Sequence, residues 1–419
     1  MVIIRGKHLF RIVSKRTLLF LVLSLSSIVN ASCPDTTPWS APVNLSNTNC
    51  LTSNVFSAAT SAGFMAVWAD SSNNALYSFS SNGIAWQSAL VTPAQGNVAS
   101  SSDVFVAGND TGFMVTWMDG SNNAWSSFSA DNGMTWSDAL AINPNTLSLD
   151  SNSDVYVGGG SLGFVATMIG SDSNAYVSFS TGTAAWSAPT QVTFDSSVYN
   201  QNWNSQTTRG FVGVAVVDNS CMLTWITQPL STASAFFDSI NPFSSTTVYP
   251  IVPVGFFESV PIVTSRDTYF MAVARANQGD GVTYFSTATI ASNWATFAPF
   301  SSTLPRNPES GPWVAANHTG FVSTWVVGVN QGDPGTPVWT SSSNNGFNRT
   351  PVCSILSTDS TTIVGPVGLS ANSRGFVATW LDSNDENAYA SFYSTPASSS
   401  SNLFVTLLEQ KYGPILQNV

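Results

Sequence analysis

One strand-like segment recurs seven times along the 419-residue chain. Each copy begins at a phenylalanine, usually preceded by glycine, and the seven phenylalanines are Phe64, Phe113, Phe164, Phe211, Phe270, Phe321 and Phe376. They are separated by 49, 51, 47, 59, 51 and 55 residues. A self-similar period of this length indicates repeated copies of one supersecondary unit. The chain is therefore expected to be built from seven similar units.

Each unit reads as short strands joined by polar turns. In the second unit, Gly112–Trp117 and Ala124–Ser129 alternate with the period of a pleated strand, and the polar loop MDGSNN separates them. A first strand precedes the phenylalanine strand, and a fourth begins at a tryptophan such as Trp136. Units of about fifty residues made of strands and turns predict an all-β fold. The expected architecture is a seven-bladed β-propeller with four-stranded blades, with six blades as the alternative.

The last unit has no tryptophan to begin its fourth strand, so another segment must supply it. Trp39-Ser40-Ala41-Pro42 near the start of the chain matches Trp186-Ser187-Ala188-Pro189, a fourth strand of the third unit. Addition of Trp39–Leu45 to the last sheet would close the ring and cover an exposed edge. We favour this segment over the second strand-like candidate, Leu403–Leu408.

The turn after the third strand of the second unit carries a motif. Ser129-Ala130-Asp131-Asn132-Gly133-Met134-Thr135-Trp136 resembles the Asp-box, S-x-D-x-G-x-T-W, of sialidase-like β-propellers. An aspartate can accept turn amides, a glycine supplies a positive φ, and the tryptophan can pack between sheets. Ser129, Asp131, Gly133 and Trp136 are therefore interpreted as structural. The resemblance implies that ligands bind on the opposite edge of the propeller.

The first residues differ in composition from the repeats. Met1 to Ala31 contains five basic residues, an apolar run from Leu18 to Val29 and a small residue at Ala31, which is typical of a signal peptide. We expect residues 1–31 to be a leader, 32–408 the propeller and 409–419 a C-terminal tail. The product would be secreted or on the cell surface, and lipidation at Cys33 is the less favoured alternative.

The charge balance excludes some partners. Removing five of 12 basic residues leaves seven against 23 acidic ones, a net charge of −16. Such a surface repels phosphate, so nucleic acid is not expected as a partner. The apolar run of the leader is short for a membrane span, so a membrane-spanning protein is not expected. The propeller is expected to be a monomer. With four cysteines and only His8 and His318, the sequence predicts at least one disulfide but no His-type metal site.

Polar loops between the second and third strands form the main candidate site. All seven units place Asp or Asn here, including Asp218-Asn219 in the fourth unit and Asn330 to Asp333 in the sixth. These residues suit hairpin turns, but a ring of oxygen atoms would also suit sugar hydroxyls or Ca²⁺. The candidate ligand-binding residues are Asp70, Asn73, Asn74, Asp119, Asn122, Asn123, Asp172, Asn174, Asp382, Asp385 and Glu386.

A second candidate is the segment from Ser239 to Val260, interpreted as a long crossover between the fourth and fifth units. It contains Tyr249 and Glu258 among aromatic residues and prolines. Long loops are often functional, so these two side chains join the candidate ligand-binding set.

The resemblance to sialidase-like propellers implies sialidase activity as one possible function. In that family, activity requires three arginines that clamp a carboxylate, a tyrosine nucleophile helped by a glutamate, and an aspartate that acts as acid and base. Of six arginines after the leader, Arg209, Arg266, Arg349 and Arg374 are assigned to the scaffold edge. Only Arg275 and Arg306 remain for the ligand edge, which is too few for the clamp, and the catalytic motifs are absent. The sequence therefore favours an exported binding protein for a glycan or a protein surface, without a cofactor, over a sialidase-like glycoside hydrolase.

Overall fold

The computed structural model describes residues 38–46, 51, 53–92, 98–100, 102–143, 147–183, 185–192, 198, 210–227, 231–240, 243–251, 259–266, 269–275, 283–289, 294–295, 298–299, 311–327, 336–342, 353–355, 363–382 and 384–395. These residues form 28 strands in seven antiparallel four-stranded sheets. The first strands of successive sheets contact one another in a closed circuit, in which the last contacts the first. The fold is a seven-bladed β-propeller, as the repeat predicts. No helix able to span a membrane occurs among the residues described.

The blades share one strand order. The innermost strands are β2 Phe56–Ala59, β6 Phe105–Asn109, β10 Tyr156–Gly160, β14 Gly213–Val217, β18 Ile262–Arg266, β22 Trp313–Asn317 and β26 Ile363–Asn372. The second strands are β3 Phe64–Ala69, β7 Gly112–Met118, β11 Gly163–Ile169, β15 Ser220–Thr227, β19 Tyr269–Arg275, β23 Gly320–Val327 and β27 Gly375–Asp382.

The two outer positions complete each blade. The third strands are β4 Ala75–Ser80, β8 Ala124–Ser129, β12 Ala175–Ser180, β16 Ser231–Ile240, β20 Thr283–Thr289, β24 Thr336–Ser342 and β28 Asn387–Ser394. The outermost strands are β5 Leu90–Val91, β9 Leu140–Ala141, β13 Thr190–Val192, β17 Phe243–Ile251, β21 Ala298–Pro299, β25 Cys353–Ser354 and β1 Val43–Asn44.

The glycine of the recurring Gly-Phe pair has a steric cause. Gly112 has a φ of 148°, and a Cβ at this position would collide with the carbonyl oxygen of Ser129 on the adjacent strand. A residue with a side chain would be strained there, so glycine lets the second and third strands pair closely. The phenylalanine that follows is fully buried at Phe64 in β3, Phe113 in β7 and Phe164 in β11.

The fourth blade corrects the sequence alignment. Phe211 lies before the innermost strand β14, and the second strand β15 begins at Ser220 instead. Asp218 and Asn219 form the turn between β14 and β15, so their assignment to the loop between the second and third strands was wrong. The alignment failed because Gly210-Phe211 copies the signature two residues ahead of an inner strand.

The segment after Ser239 is also not a long crossover. Strands β16 and β17 form a hairpin, paired from Ile240↔Phe243 to Thr232↔Ile251, so Tyr249 lies in the outermost strand of the fourth blade. A run of aromatic, threonine and valine residues favours a strand. Here this preference outweighs the tendency of the prolines to interrupt a strand. Glu258 lies outside the described residues.

The N-terminal segment closes the ring, as expected. Strand β1 pairs with β28 through Val43↔Ala390 and Asn44↔Tyr389, and Trp39 bridges Tyr393. The Ser40 amide donates to the Phe392 carbonyl at 2.8 Å, and the Phe392 amide donates to Ser40 Oγ at 3.0 Å. Ser137 with Phe128 and Ser187 with Phe179 make the same pair of bonds in the second and third blades. The competing segment Leu403–Leu408 lies outside the described residues.

Threonines on the second strands join neighbouring blades. Thr116 Oγ1 donates to the Val155 carbonyl at 2.7 Å, and Thr167 Oγ1 donates to the Val212 carbonyl at 2.6 Å. Equivalent bonds run from Thr224 to Pro261, from Thr324 to Val367 and from Thr379 to Val55. Each bond joins a buried threonine hydroxyl to a backbone carbonyl of the next blade, so it helps to fix the stagger between adjacent blades.

The described cysteines occur in two states. Cys353, at the start of β25, is disulfide-bonded, whereas Cys221 is free and buried. Cys33 and Cys50 lie outside the described residues. Burial raises the pKa of the Cys221 thiol, which keeps it in the unreactive protonated form.

Candidate functional site

The strand register defines two edges of the propeller. In the second blade, Met118↔Ala124 pairs at one end of β7 and β8, and Phe113↔Ser129 pairs at the other. The loop Asp119–Asn123 therefore lies at the first end, which we call the loop rim. The segment after Ser129 lies at the second end, which we call the turn rim. The crossover leaving β9 is on the loop rim, because Ile142 donates its amide to Ala124.

Asp119 organises the loop of the second blade. Its Oδ1 accepts the amides of Ser121 at 2.8 Å and Asn123 at 2.9 Å, and its Oδ2 accepts Asn123 Nδ2 at 3.0 Å and Trp125 Nε1 at 2.8 Å. Asn122 adopts a φ of 62°, which asparagine tolerates well. Burial alone would raise the pKa of Asp119, but the bonds from Asn123, Trp125 and Ser121 outweigh it and lower the pKa. The carboxylate is therefore ionised and anchors the Trp125 ring.

A tyrosine takes the place of this tryptophan in two other blades. The Tyr176 hydroxyl donates to Asp172 Oδ2 at 2.7 Å, and the Tyr389 hydroxyl donates to Asp385 Oδ2 at 2.7 Å. Burial and the bond to Asp172 raise the pKa of Tyr176 to about 12, and burial and Asp385 raise that of Tyr389 to about 12. Both carboxylates have lowered pKa values, because hydrogen bonds outweigh the effect of burial.

The three aromatic residues occupy one structural position. Trp125, Tyr176 and Tyr389 are each the second or third residue of a third strand, and all are partly exposed. We call each residue with its aspartate an aromatic–carboxylate pair. The first blade has Leu76 at this position, and Asp70 accepts hydrogen bonds from the amides of Ser72 and Asn74 and from Asn74 Nδ2. Asn73 has a φ of 60°.

Among the remaining loop candidates, Asn174 and Asp382 form hydrogen bonds within their own loops. Asn174 Nδ2 donates to Asp172 Oδ2 at 2.9 Å, and Asp382 Oδ1 accepts the Asn384 amide at 2.9 Å. Glu386 is exposed and has a φ of 51°. Within the described part of the chain, no group of three or more Asp, Glu, His or Cys residues could hold a metal ion. The loops stand on separate blades, so they form a series of sites and not one pocket.

The other candidates do not join this series. Arg275 ends β19 at the loop rim, but its side chain is only 7% exposed, and its amide donates to Ser259 Oγ at 3.0 Å. Arg306 lies outside the described residues, as does Arg209. Tyr249 is paired through its backbone with Ser234 on β16, in the outermost strand of the fourth blade.

Aromatic rings fill the propeller axis on the loop-rim side. Phe56 and Phe105 stack at 4.5 Å between centroids, Tyr156 and Phe211 stack at 5.3 Å, and Phe56 lies 5.0 Å from Trp313. We call these five residues the aromatic plug. A substrate site at the axis of this rim would have to displace them.

The turn rim carries the motif of the second blade. Asp131 Oδ1 accepts the Thr135 amide at 2.8 Å and the Ser129 hydroxyl at 2.9 Å, and Gly133 has a φ of 89°. Trp136 packs edge-to-face on Tyr77 of the first blade, with centroids 5.1 Å apart. These contacts are the ones that the turn chemistry predicts. Hydrogen bonds from the Thr135 hydroxyl and amide outweigh burial and lower the pKa of Asp131.

Sequence reasoning missed the aromatic members of the pairs. Trp125, Tyr176 and Tyr389 were included in strands, and their position next to the loop was not used. The available signal was an aromatic residue four to six positions after an aspartate, just inside the third strand: Asp119 with Trp125, Asp172 with Tyr176, and Asp385 with Tyr389. Register decides that the two side chains meet, and register is not readable from one strand.

Known proteins resemble this chain in structure but not in sequence. No family model matches the chain, and no curated protein matches it. The BP39L lectin from Burkholderia pseudomallei is similar over 83% of this chain and 98% of its own, with a TM-score of 0.58 and 12% identity. A protein of unknown function from Dyadobacter fermentans is similar over 85% of this chain and 99% of its own, with a TM-score of 0.50 and 10% identity.

A sialidase from Trypanosoma rangeli, solved with the inhibitor DANA, is similar over 87% of this chain and 58% of its own, at a TM-score of 0.43 and 8% identity. That likeness is too low to support an argument about activity. At 10 to 12% identity, the two stronger likenesses establish the fold alone. What this chain shares with the solved structures is the architecture of a β-propeller.

Proposed function

We propose that this protein is a glycan-binding β-propeller that recognises neutral sugars at its loop rim. The observation that carries the proposal is the set of three aromatic–carboxylate pairs on the second, third and seventh blades. A partly exposed aromatic ring can cover the apolar face of a sugar, and the adjacent carboxylate can accept charge-assisted hydrogen bonds from its hydroxyls. The shared fold with a lectin is consistent with this function.

Neutral sugars fit the electrostatics better than anionic ones. The full chain carries a net charge of −11, and each pair contributes an ionised carboxylate with a lowered pKa. An anionic sugar would meet like charge there. Arg275 lies at the loop-rim end of β19, but its side chain is buried. Weak binding at several similar sites would be strengthened by avidity on a multivalent glycan.

Export belongs to the same proposal, because a glycan ligand is met outside the cell. Its support is the leader-like sequence of Met1 to Ala31. A calcium ion at the Asp382 to Glu386 loop remains a prediction that added calcium and chelator would test.

The test is glycan-array binding followed by calorimetry with variants Trp125→Ala, Tyr176→Ala and Tyr389→Ala. Each is expected to weaken binding at its own site about tenfold, a loss of about 1.4 kcal/mol, because ring contact is removed while the fold is retained. The triple variant should abolish multivalent binding. Tyr269→Ala is the matched control, since Tyr269 is 37% exposed and begins β19 at the turn rim.

Two outcomes would contradict the proposal. If the triple variant binds glycans like the parent, the pairs are only turn and packing elements. If no glycan binds and a panel of fluorogenic glycosides is hydrolysed, the glycoside hydrolase alternative is correct.

A further inference from the structure

A cavity of about 340 Å³ runs along the propeller axis, enclosed by the innermost strands of all seven blades. Each innermost strand pairs with only one neighbour in its sheet. Its other edge therefore presents unpaired backbone N–H and C=O groups toward the axis. The wall of the cavity is a circle of hydrogen-bond donors and acceptors, and the described residues that line it include no charged side chain.

The innermost strands place large residues near the loop rim and small residues further along the propeller axis toward the turn rim. Four large aromatic residues lie at equivalent positions in their innermost strands: Phe56, Phe105, Tyr156 and Trp313. Each is paired with the residue three positions after the recurring phenylalanine of its blade, as Phe56 is with Val67. Two residues further along each strand, on the same side by alternation, come Ala58, Ala107, Gly158 and Ala315. The cavity lies beside these small residues. The aromatic plug closes it toward the loop rim, so entry is from the turn rim.

Close packing of the inner strands shapes the entrance. A Cβ at Gly108 would collide with the carbonyl of Ala59, and one at Gly159 would collide with the carbonyl of Gly108. Glycine therefore allows the first three blades to approach closely at the turn-rim end. Asn372 Nδ2 donates to the Thr60 carbonyl at 3.0 Å, and Asn317 Nδ2 donates to the Asn372 carbonyl at 3.0 Å, so the entrance is polar and held in place.

One hydroxyl in the lining has no hydrogen-bond partner in the described part of the structure. Ser370, on the innermost strand of the seventh blade, is 5% exposed, and its Oγ makes no hydrogen bond there. A buried hydroxyl without a partner is unfavourable, so a guest that can hydrogen-bond would be stabilised here.

We infer that the axial cavity is a second binding site, for one small, neutral, polyhydroxylated molecule such as a polyol or a monosaccharide. A neutral guest fits a lining whose described residues carry no charged side chain. Hydroxyl groups on all sides of the guest match the circle of backbone donors and acceptors and the Ser370 hydroxyl. The aromatic plug offers an apolar surface to the guest's C–H groups. The volume is near the lower end of ligand pockets, about 300–1,000 Å³, which limits the guest to a single sugar-sized unit.

The experiment uses the full chain and three probes: glycerol, myo-inositol and methyl α-glucoside. Each is titrated by ligand-observed NMR and calorimetry and soaked into crystals. We expect at least one probe to bind in the cavity, and Ser370→Ala to weaken it about tenfold while leaving the melting temperature of the free protein unchanged or higher. Ala315→Leu fills the cavity and should abolish binding. Tyr269→Ala, which removes an exposed side chain outside the cavity lining, should leave binding in the cavity unchanged.

The outcomes separate this site from the loop rim. If no probe binds at millimolar concentration and crystals show only water at the axis, the cavity is a hydration channel and the inference is wrong. If Trp125→Ala abolishes binding of the probes but Ser370→Ala does not, the probes bind at the loop rim and the inference is again wrong. Should Ala315→Leu fail to fold, Ser370→Ala still decides, because it removes one atom and adds no bulk.

Discussion

At the scale of single residues, the loop rim shows one aspartate serving two functions. Asp119 holds its own loop through the amides of Ser121 and Asn123 and orients the Trp125 ring through Oδ2. A carboxylate satisfied in this way stays ionised and costs little to keep partly buried. Turn chemistry and a binding surface are therefore not alternatives here. The residues that form the turn also position the ring.

The tyrosine pairs predict a pH dependence. Tyr176 and Tyr389 should ionise at about pH 12 in the folded protein, because burial and the neighbouring carboxylate oppose the phenolate. An unfolded tyrosine ionises near pH 10. The stabilisation from these pairs is therefore fully present below about pH 10 and is lost as the pH rises through about 12.

Ultraviolet titration of the phenolate measures this directly. In Asp172→Asn, the transition of Tyr176 should move toward pH 10, and Tyr389 should remain unchanged as the internal control. A Tyr176 that ionises near pH 10 in the parent protein would show that the hydrogen bond to Asp172 does not form.

At the scale of strands, tryptophans four residues before the outermost strands join the second, third and fifth blades to the blade before each. Trp136 packs on Tyr77, Trp186 Nε1 donates to Ser126 Oγ at 2.7 Å, and Trp294 Nε1 donates to Ser234 Oγ at 2.8 Å. Trp39 does the same for the last blade, with its ring 5.9 Å from that of Trp339. The closing strand is thus held by a contact between blades as well as by the ladder of β1 with β28.

Trp39→Ala should lower the free energy of unfolding by about 3–5 kcal/mol, because Trp39 is only 4% exposed and its removal leaves a cavity. Denaturant unfolding measures the loss. Deleting residues 32–46 should go further and expose the edge of β28, which gives an open ring that aggregates. Trp186→Ala is the control: it should be destabilising without opening the ring in small-angle scattering. A deletion variant that melts like the parent would disprove closure by this segment.

At the scale of the molecule, a closed ring must resist opening where its two ends meet. Cys353 lies in β25, where it pairs with Trp339, and Trp339 contacts Trp39 of the closing segment. The cysteine is therefore next to the junction between the sixth and seventh blades. A covalent link at this place would act on the whole ring, because each blade is held only by its two neighbours.

Reduction of the Cys353 disulfide should destabilise the propeller by about 2–5 kcal/mol. Because Cys221 is free, peptide mapping under non-reducing conditions is expected to find Cys353 joined to Cys33 or Cys50, which flank the closing segment. Calorimetry of Cys353→Ser should show the lower melting temperature without reductant. Cys221→Ala is the control and should respond to reductant like the parent protein. A parent melting temperature that reductant leaves unchanged would contradict a stabilising role.

The sequence by itself determined the architecture and its closure. Strand alternation, Gly-Phe pairs and turn residues act over fewer than about ten neighbours, so they can be read along the chain, and their repetition gives the number of blades. The Trp-Ser-Ala-Pro match identified the closing strand because the same contacts recur in the second and third blades. Turn residues such as Asp131 and Asp119 were likewise recognisable, since their bonds are local.

Only the tertiary structure decided which residues meet between strands and between blades. Phe211 copies the local signature of a second strand, yet it fills the axis, because packing against Tyr156 outweighs a two-residue motif. The pairing of Asp385 with Tyr389 depends on where β28 begins, and the cavity beside Ser370 depends on seven strands distant in sequence. Contacts between residues distant in sequence produce no periodic pattern along the chain. The fold could therefore be predicted from the sequence, whereas the sites could not.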